Sequence, residues 1–273
     1  MINSGDMLKG CVEKVDPLDP QAQVLKGNPW YVREQFSAQL GRAGTRALIQ
    51  RRWESFGGII LRHLETRCAE GAGPVVRFLD AGCGDGINLQ WAGEFFQDRG
   101  LEARISAVDF NPLRVERVRS KGLAHDAQVA SLLELPFPDG SFDIVLCNHV
   151  LEHVHEYRRA LDQLARVLHP GGLLVVGVPN EGCLLARMRN HVFQRSILRS
   201  TDHVNFFTGQ ALEGALLASG FRLAKLHREG FFLPHFWLHY ALSRFEWGEK
   251  LLFALGRIWP AQSAGVIAHA VKR

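Results

Sequence analysis

Phe78-Leu79-Asp80-Ala81-Gly82-Cys83-Gly84-Asp85-Gly86 is the stretch on which the reading of this chain turns. A run from Val75 to Leu79, apolar but for Arg77, ends at an acid and breaks into three glycines separated by single residues. A helical pattern follows, with Leu89, Ala92 and Phe96 on one face. The order is strand, tight turn, helix, the first half of a βαβ unit. Glycine accepts positive φ and lets a ligand lie against bare backbone. The helix start offers N–H groups to a polar or anionic ligand.

Composition narrows the class. The 273 residues suit one large domain, and 47% hydrophobic with 22% charged residues is the balance of a soluble globular protein. No apolar run reaches the roughly 18 residues that a membrane span needs, and the N-terminus lacks the basic-then-apolar form of a secretory signal. Cys11, Cys68, Cys83, Cys147 and Cys183 are scattered, odd in number and without metal-ligand spacing. Reduced thiols in a cytoplasm, with no metal, are the simplest reading. A net charge of +4 is too mild to argue for nucleic acid, though it permits an anionic substrate.

Asp-x-Gly-x-Gly-x-Gly after a strand resembles motif I of the class I S-adenosylmethionine (SAM) methyltransferases. A dinucleotide fingerprint would place glycine where Ile87 stands, which counts against a nicotinamide-dependent oxidoreductase. The resemblance implies SAM as cofactor and S-adenosylhomocysteine as product, with Asp80, Gly82, Cys83 and Gly84 in the cofactor site. The next strand, Arg104 to Asp109, also ends in an acid. Asp109 matches the family's ribose-binding acid, the alternative being an ordinary helix cap, and Phe110 would flank the adenine. Leu135 onward is close to the Leu-Pro-Phe-x-x-x-Ser-Phe-Asp hallmark of type-11-like members. Ser131 stands where they usually carry an aspartate to the adenine amino group, and the Leu132 backbone could still meet that ring. This departure motivates the alternative of an inactive SAM-binding partner protein.

Phe142 to Cys147 reads as a buried parallel strand that empties into Asn148-His149-Val150-Leu151-Glu152-His153-Val154. Ligands of open α/β sheets sit outside the carboxyl ends of strands, so Asn148 and His149 should face the transferred methyl. The Leu-Glu-His-Val run resembles ubiquinone-pathway O-methyltransferases, in which a structural role for Glu and His is the plainer reading. His149, His153 and His203 are the candidate general bases, in that order. O-methylation of a small molecule is the leading reading, with N- or carboxyl-methylation of a small molecule or peptide as the alternative.

The fold expected is α/β: a Rossmann-like, seven-stranded, mostly parallel sheet with an antiparallel last strand, helices on both faces and helical cap insertions. Residues 1–28 would form a flexible arm and 29–70 an N-terminal helical cap. There Ile49, Trp53, Phe56 and Ile60 share a face that Gly57-Gly58 could split into two helices. Residues 71–273 would form the SAM-binding methyltransferase domain. His169-Pro170-Gly171-Gly172 reads as a stop and turn into the fifth strand. Substrate-cap insertions are expected at 179–207, rich in arginine, and at 230–260, rich in aromatic residues, where Leu251, Leu252, Leu255 and Ile258 make a helical face. The acceptor they enclose would be apolar, aromatic or anionic. The related enzymes' insertion approaches lipid, but an internal hydrophobic cap is the favoured reading over peripheral membrane contact.

Overall fold

A computed structural model of the chain describes residues 32–36, 41, 43–69, 73–193 and 203–273. The expected N-terminal arm and part of the first insertion lie outside these residues. The described chain runs α1 (Ala43–Ala69), β1 (Val76–Ala81), α2 (Ile87–Gln97), β2 (Ala103–Asp109), α3 (Pro112–Ser120), β3 (Asp126–Val129) and β4 (Phe142–Asn148). It continues through α4 (Tyr157–Val167), β5 (Leu168–Pro179), α5 (Leu184–Met188), α6 (Gly209–Ala218), β6 (Phe221–Glu229), α7 (Phe236–Ser243), α8 (Glu246–Ile258) and β7 (Gly265–Lys272). The seven strands form one sheet in the order β3-β2-β1-β4-β5-β7-β6. β7 runs antiparallel to both of its neighbours, and the other pairings are parallel.

Strand periodicity sorts the side chains into two cores. Leu79, Val145, Cys147, Leu174 and Val176 face α4 and α6, where Leu161, Leu164 and Leu212 meet them. Phe78, Ile144, Leu146 and Val175 face the opposite layer, meeting Trp53, Phe56, Leu89 and Val115 of α1, α2 and α3. Successive strand residues point to opposite faces, so a central strand covered on both sides is apolar throughout.

Three expectations are corrected. α1 is one unbroken helix of 27 residues. A Cβ at Gly57 would lie 2.4 Å from Phe95 Cε2, so this glycine lets α1 approach α2 instead of breaking the helix. His169-Pro170-Gly171-Gly172 does not precede β5 but lies within it. Phe142 pairs with Leu168 while Ile144 pairs with Leu173, and the surplus residues of β5 bulge where Gly171 has φ +77°. The leucine stripe of α8 is not its packing face: Leu252 is buried, but Leu251 and Ile258 are exposed. The helix turns Gly248 and Gly256 inward instead, each within 2.1 Å (as Cβ) of a backbone oxygen, at Leu242 and Gly230. Backbone approach that close admits only glycine.

At the amino edge of the sheet, Asp143 accepts bonds from Arg77 N (2.9 Å) and Arg77 Nη2 (2.8 Å) and pairs with Arg67 of α1. Burial would raise this carboxyl, but the two guanidiniums prevail and hold it near 2.

The two adjacent glycines of α1 should therefore respond in opposite ways. Gly57→Ala is expected to lower stability by about 1–3 kcal/mol, because the buried Phe95 ring must move. Gly58→Ala, whose nearest atom is Arg62 Nη1 at 3.7 Å, should raise it by about 0.5–1 kcal/mol. Urea unfolding of the two variants checks both signs.

Candidate functional site

The exits of β1, β2 and β4 lie side by side at the carboxyl edge of the sheet. After β1, Gly82, Gly84 and Gly86 all have positive φ (90°, 54° and 90°), which L side chains rarely adopt. Gly82 N and Cys83 N donate to Val108 O at 2.8 and 2.9 Å, tying the turn to β2. A Cβ on Gly82 would sit 2.3 Å from Val150 Cγ2, whereas one on Gly84 would meet no atom within 4 Å. Main chain at Gly84 is thus bare. The Cys83 thiol is buried, and burial pushes its pKa well above the usual thiol range, which disfavours the thiolate.

Asp109 closes the turn from the β2 side. Its Oδ2 accepts from Gly84 N at 2.8 Å and its Oδ1 from Asn111 N at 2.9 Å. Asn111 in turn caps α3, Oδ1 accepting from Leu113 N at 3.0 Å. Burial raises the Asp109 carboxyl, opposed by the Arg114 charge and the two N–H donors. Phe110 follows, partly buried. On the far side of this edge, Ser131 is exposed and its Oγ accepts from Leu133 N at 3.2 Å, while Leu132 is buried in the core.

Asp80 is different. It is fully buried, and neither carboxylate oxygen has a hydrogen-bond partner. Burial, and secondarily the charge of Asp109, push this carboxyl up to about 8. A buried acid without a donor is costly unless a positive ligand accompanies it. Bare main chain beside an orphaned carboxylate fits a ligand that lies on the backbone and carries positive charge.

Beyond β4 the chain turns sharply. His149 has φ +57° and is the only non-glycine residue with positive φ among the described residues. Its N–H donates to Gly177 O at 2.8 Å. The imidazole Nδ1 lies 3.2 Å from Glu152 Oε1, with the ring half exposed and the carboxylate buried. Burial would raise Glu152, but the His149 bond and the charges of His149 and His153 outweigh it and keep the carboxyl below its ordinary value. Asn148 Oδ1 is buried, has no partner, and occupies the space that a Cβ at Gly177 would need.

His153 and His203 join this cluster. Their rings meet edge to face at 4.8 Å. His203 Nδ1 lies 2.6 Å from Glu181 Oε2, and Arg189 Nη2 holds the other oxygen of Glu181 at 2.7 Å. All three histidines singled out in the sequence therefore gather at one place. Glu181 and Arg189 were not anticipated. The signal available for Glu181 was its position two residues past β5, an acid at a strand's carboxyl end.

Comparison with known proteins bears on what this edge does. A family model for a methyltransferase domain matches residues 34–226. A probable S-adenosylmethionine-dependent methyltransferase of Mycobacterium tuberculosis (strain ATCC 25618 / H37Rv) is 33% identical over 132 residues, covering 48% of this chain and 44% of that protein. A ubiquinone biosynthesis O-methyltransferase of Xanthomonas oryzae pv. oryzae (strain PXO99A) is 32% identical over 161 residues, covering 56% and 63%. The chain thus spans about half the length of the curated relatives it matches. In fold, it is similar to the crystal structure of a proposed sarcosine dimethylglycine methyltransferase from Galdieria sulphuraria, with TM-score 0.60, 17% identity and coverage of 84% and 88%.

The orphaned acid makes a stability prediction. In the unfolded chain Asp80 titrates near 3.8, and in the folded ligand-free protein near 8. Folding therefore costs nothing through Asp80 below the lower value, and the cost grows with pH until it levels off above the higher one. The Tm of Asp80→Asn minus that of the parent should rise steadily from pH 4 to pH 8. A pH-independent difference in calorimetric scans would show that Asp80 is not held protonated.

Proposed function

The chain belongs to the methyltransferase-domain family, and from that premise we propose that it transfers a methyl group from SAM to an oxygen of a small-molecule acceptor. SAM is the family's cofactor, and when bound it supplies an electrophilic methyl group on a sulfonium sulfur. The choice of oxygen is carried by one observation: a histidine and a buried carboxylate are paired where β4 ends, at 3.2 Å. The similarity to an O-methyltransferase supports it.

The residues divide the work as follows. Main chain from Gly82 to Gly84 forms the cradle. Asp80 offers an ionisable carboxylate to the positive part of the ligand. Each oxygen of Asp109 accepts one backbone bond, leaving a further lone pair for a ribose hydroxyl. Phe110 flanks the adenine, and the main chain at Leu132 meets its edge. Ser131, engaged with Leu133 N, serves the turn more than the ligand.

His149 donates from Nδ1 to Glu152, which leaves Nε2 as the acceptor for a hydroxyl proton. The buried carboxylate stabilises the imidazolium that results, as in other oriented histidine bases. The protein's further task is orientation: holding donor and acceptor about 3 Å apart accounts for much of a methyl transfer, on the order of 7–11 kcal/mol. The insertions at 179–207 and 230–260 are assigned to that task, enclosing the acceptor and excluding water. Val204 N and Asn205 N donate to Glu152 O at 2.8 and 3.1 Å, so residues 204–205 of the first insertion are seated directly on the turn that carries the base.

Two variants test the assignment. Asp109→Ala should weaken SAM binding tenfold or more, about the loss of one charge-assisted contact, by titration calorimetry. His149→Ala should lower kcat by about 10²-fold or more while leaving SAM affinity unchanged. Unaltered affinity removes Asp109 from the ribose role, and unaltered turnover removes His149 as the base. A protein that binds SAM but forms no S-adenosylhomocysteine with any acceptor would be a binding partner and not an enzyme.

A further inference from the structure

Glu152 lies on a single helical turn, Leu151–His153, directly after the β4 exit. Its two oxygens have different fates. Oε1 meets His149, whereas Oε2 is buried with no hydrogen-bond partner. Around Glu152 the fold assembles two imidazoles, one adjacent in sequence and one distant. His153 is next in sequence, and His203 is brought down by the bonds of Val204 N and Asn205 N to Glu152 O. Asn205 Nδ2 adds bonds to Leu151 O (3.0 Å) and Val154 O (2.7 Å). One ligand atom each from Glu152, His153 and His203 lies within 4.8 Å of the others.

We propose that Glu152, His153 and His203 bind a divalent first-row metal ion. Two imidazoles and one carboxylate suit such an ion and leave coordination positions open. The surrounding bonds have the form of a ligand-orienting shell. Glu181 takes His203 Nδ1 at 2.6 Å, which directs the Nε2 lone pair to the site, and Arg189 steadies Glu181. His149 takes Oε1 of Glu152, which leaves Oε2 for the ion. Carboxylates and histidines behind metal ligands commonly fix tautomer and ring orientation in this manner. Ligand atoms that all lie within 4.8 Å of one another are near enough for a single ion to reach all three.

The role of the ion rests on the methyl-transfer reading, but its binding does not. An acceptor oxygen on an open coordination position would lose its proton more readily. The proton passes to His149 Nε2, the new oxygen–carbon bond forms as the carbon–sulfur bond breaks, and the sulfonium leaves as a neutral thioether.

The test uses the full chain, stripped with chelator and dialysed. Titration with Zn²⁺ and with Mn²⁺, and the visible spectrum with Co²⁺, should show one site per chain. Glu152→Gln and His203→Ala, each checked for an unchanged Tm without metal, should weaken binding of the tighter ion by 100-fold or more. His153→Ala serves if either variant is unstable. Equal binding by parent and variants, or no stoichiometric binding, overturns the site. With the site established, loss of turnover in the stripped enzyme and its return with one equivalent of metal supports the catalytic role. Full turnover in the stripped enzyme overturns that role while leaving the methyl-transfer reading intact. Stoichiometric metal with SAM bound and no methyl transfer to any oxygen acceptor overturns the O-methylation reading alone.

Discussion

The 2.8 Å bond from Gly84 N to Asp109 joins the exits of two adjacent strands across 25 residues. It depends on three conditions. The Gly82–Gly86 turn must adopt positive φ three times. Asp109 must stand at the last position of β2, and β1 must pair with β2 in the register that opposes Ala81 to Val108. A one-residue slip would send every strand side chain to the wrong face. The two cores on either side of the sheet fix that register, and so they hold the carboxyl edge in the form that exposes main chain.

Three of the buried carboxylates among the described residues stand in contrast. Asp143, at the amino edge, is satisfied by Arg67 and Arg77, and its lowered pKa marks a structural tie between α1 and the sheet. Asp80 and Glu152, at the carboxyl edge, retain buried oxygens with no partner. Each such oxygen carries a desolvation penalty that no hydrogen bond of its own offsets. Their location where strands end is consistent with sites that are completed by what they bind. The same edge carries the one non-glycine residue with left-handed backbone among the described residues, His149. Strain of that kind persists only where the surroundings impose it, here through the bond of His149 N to Gly177 O.

A second constraint, close approach of backbone, acts in the insertion at 230–260: Gly248 and Gly256 let α8 pack against the chain at Leu242 and Gly230. Phe231, Phe232 and Leu252 are sealed inside as a result, while Trp237, Trp247, Ile258 and Trp259 stay exposed. No helix among the described residues is long and apolar enough to cross a membrane.

Much of this was legible in the residues themselves. Apolar runs ending in Asp80, Asp109 and Asn148, each followed by turn residues and a helical pattern, prescribe parallel strands and put functional groups at one edge, because period and punctuation are local properties. Thr208 Oγ1 accepts from Ala211 N and caps α6, and Gly220, with φ +81°, follows its last turn. Gly57, the Pro-Gly-Gly bulge and the inward face of α8 are not legible in this way, since a glycine that breaks a helix and one that admits a neighbour look alike until the neighbour is known. The union of Glu152, His153, His203 and Glu181 belongs to the tertiary structure alone. Those residues come from the exits of two strands and from an insertion folded back over them, and no spacing along the chain records a distance that only the closed sheet and its docked loops create.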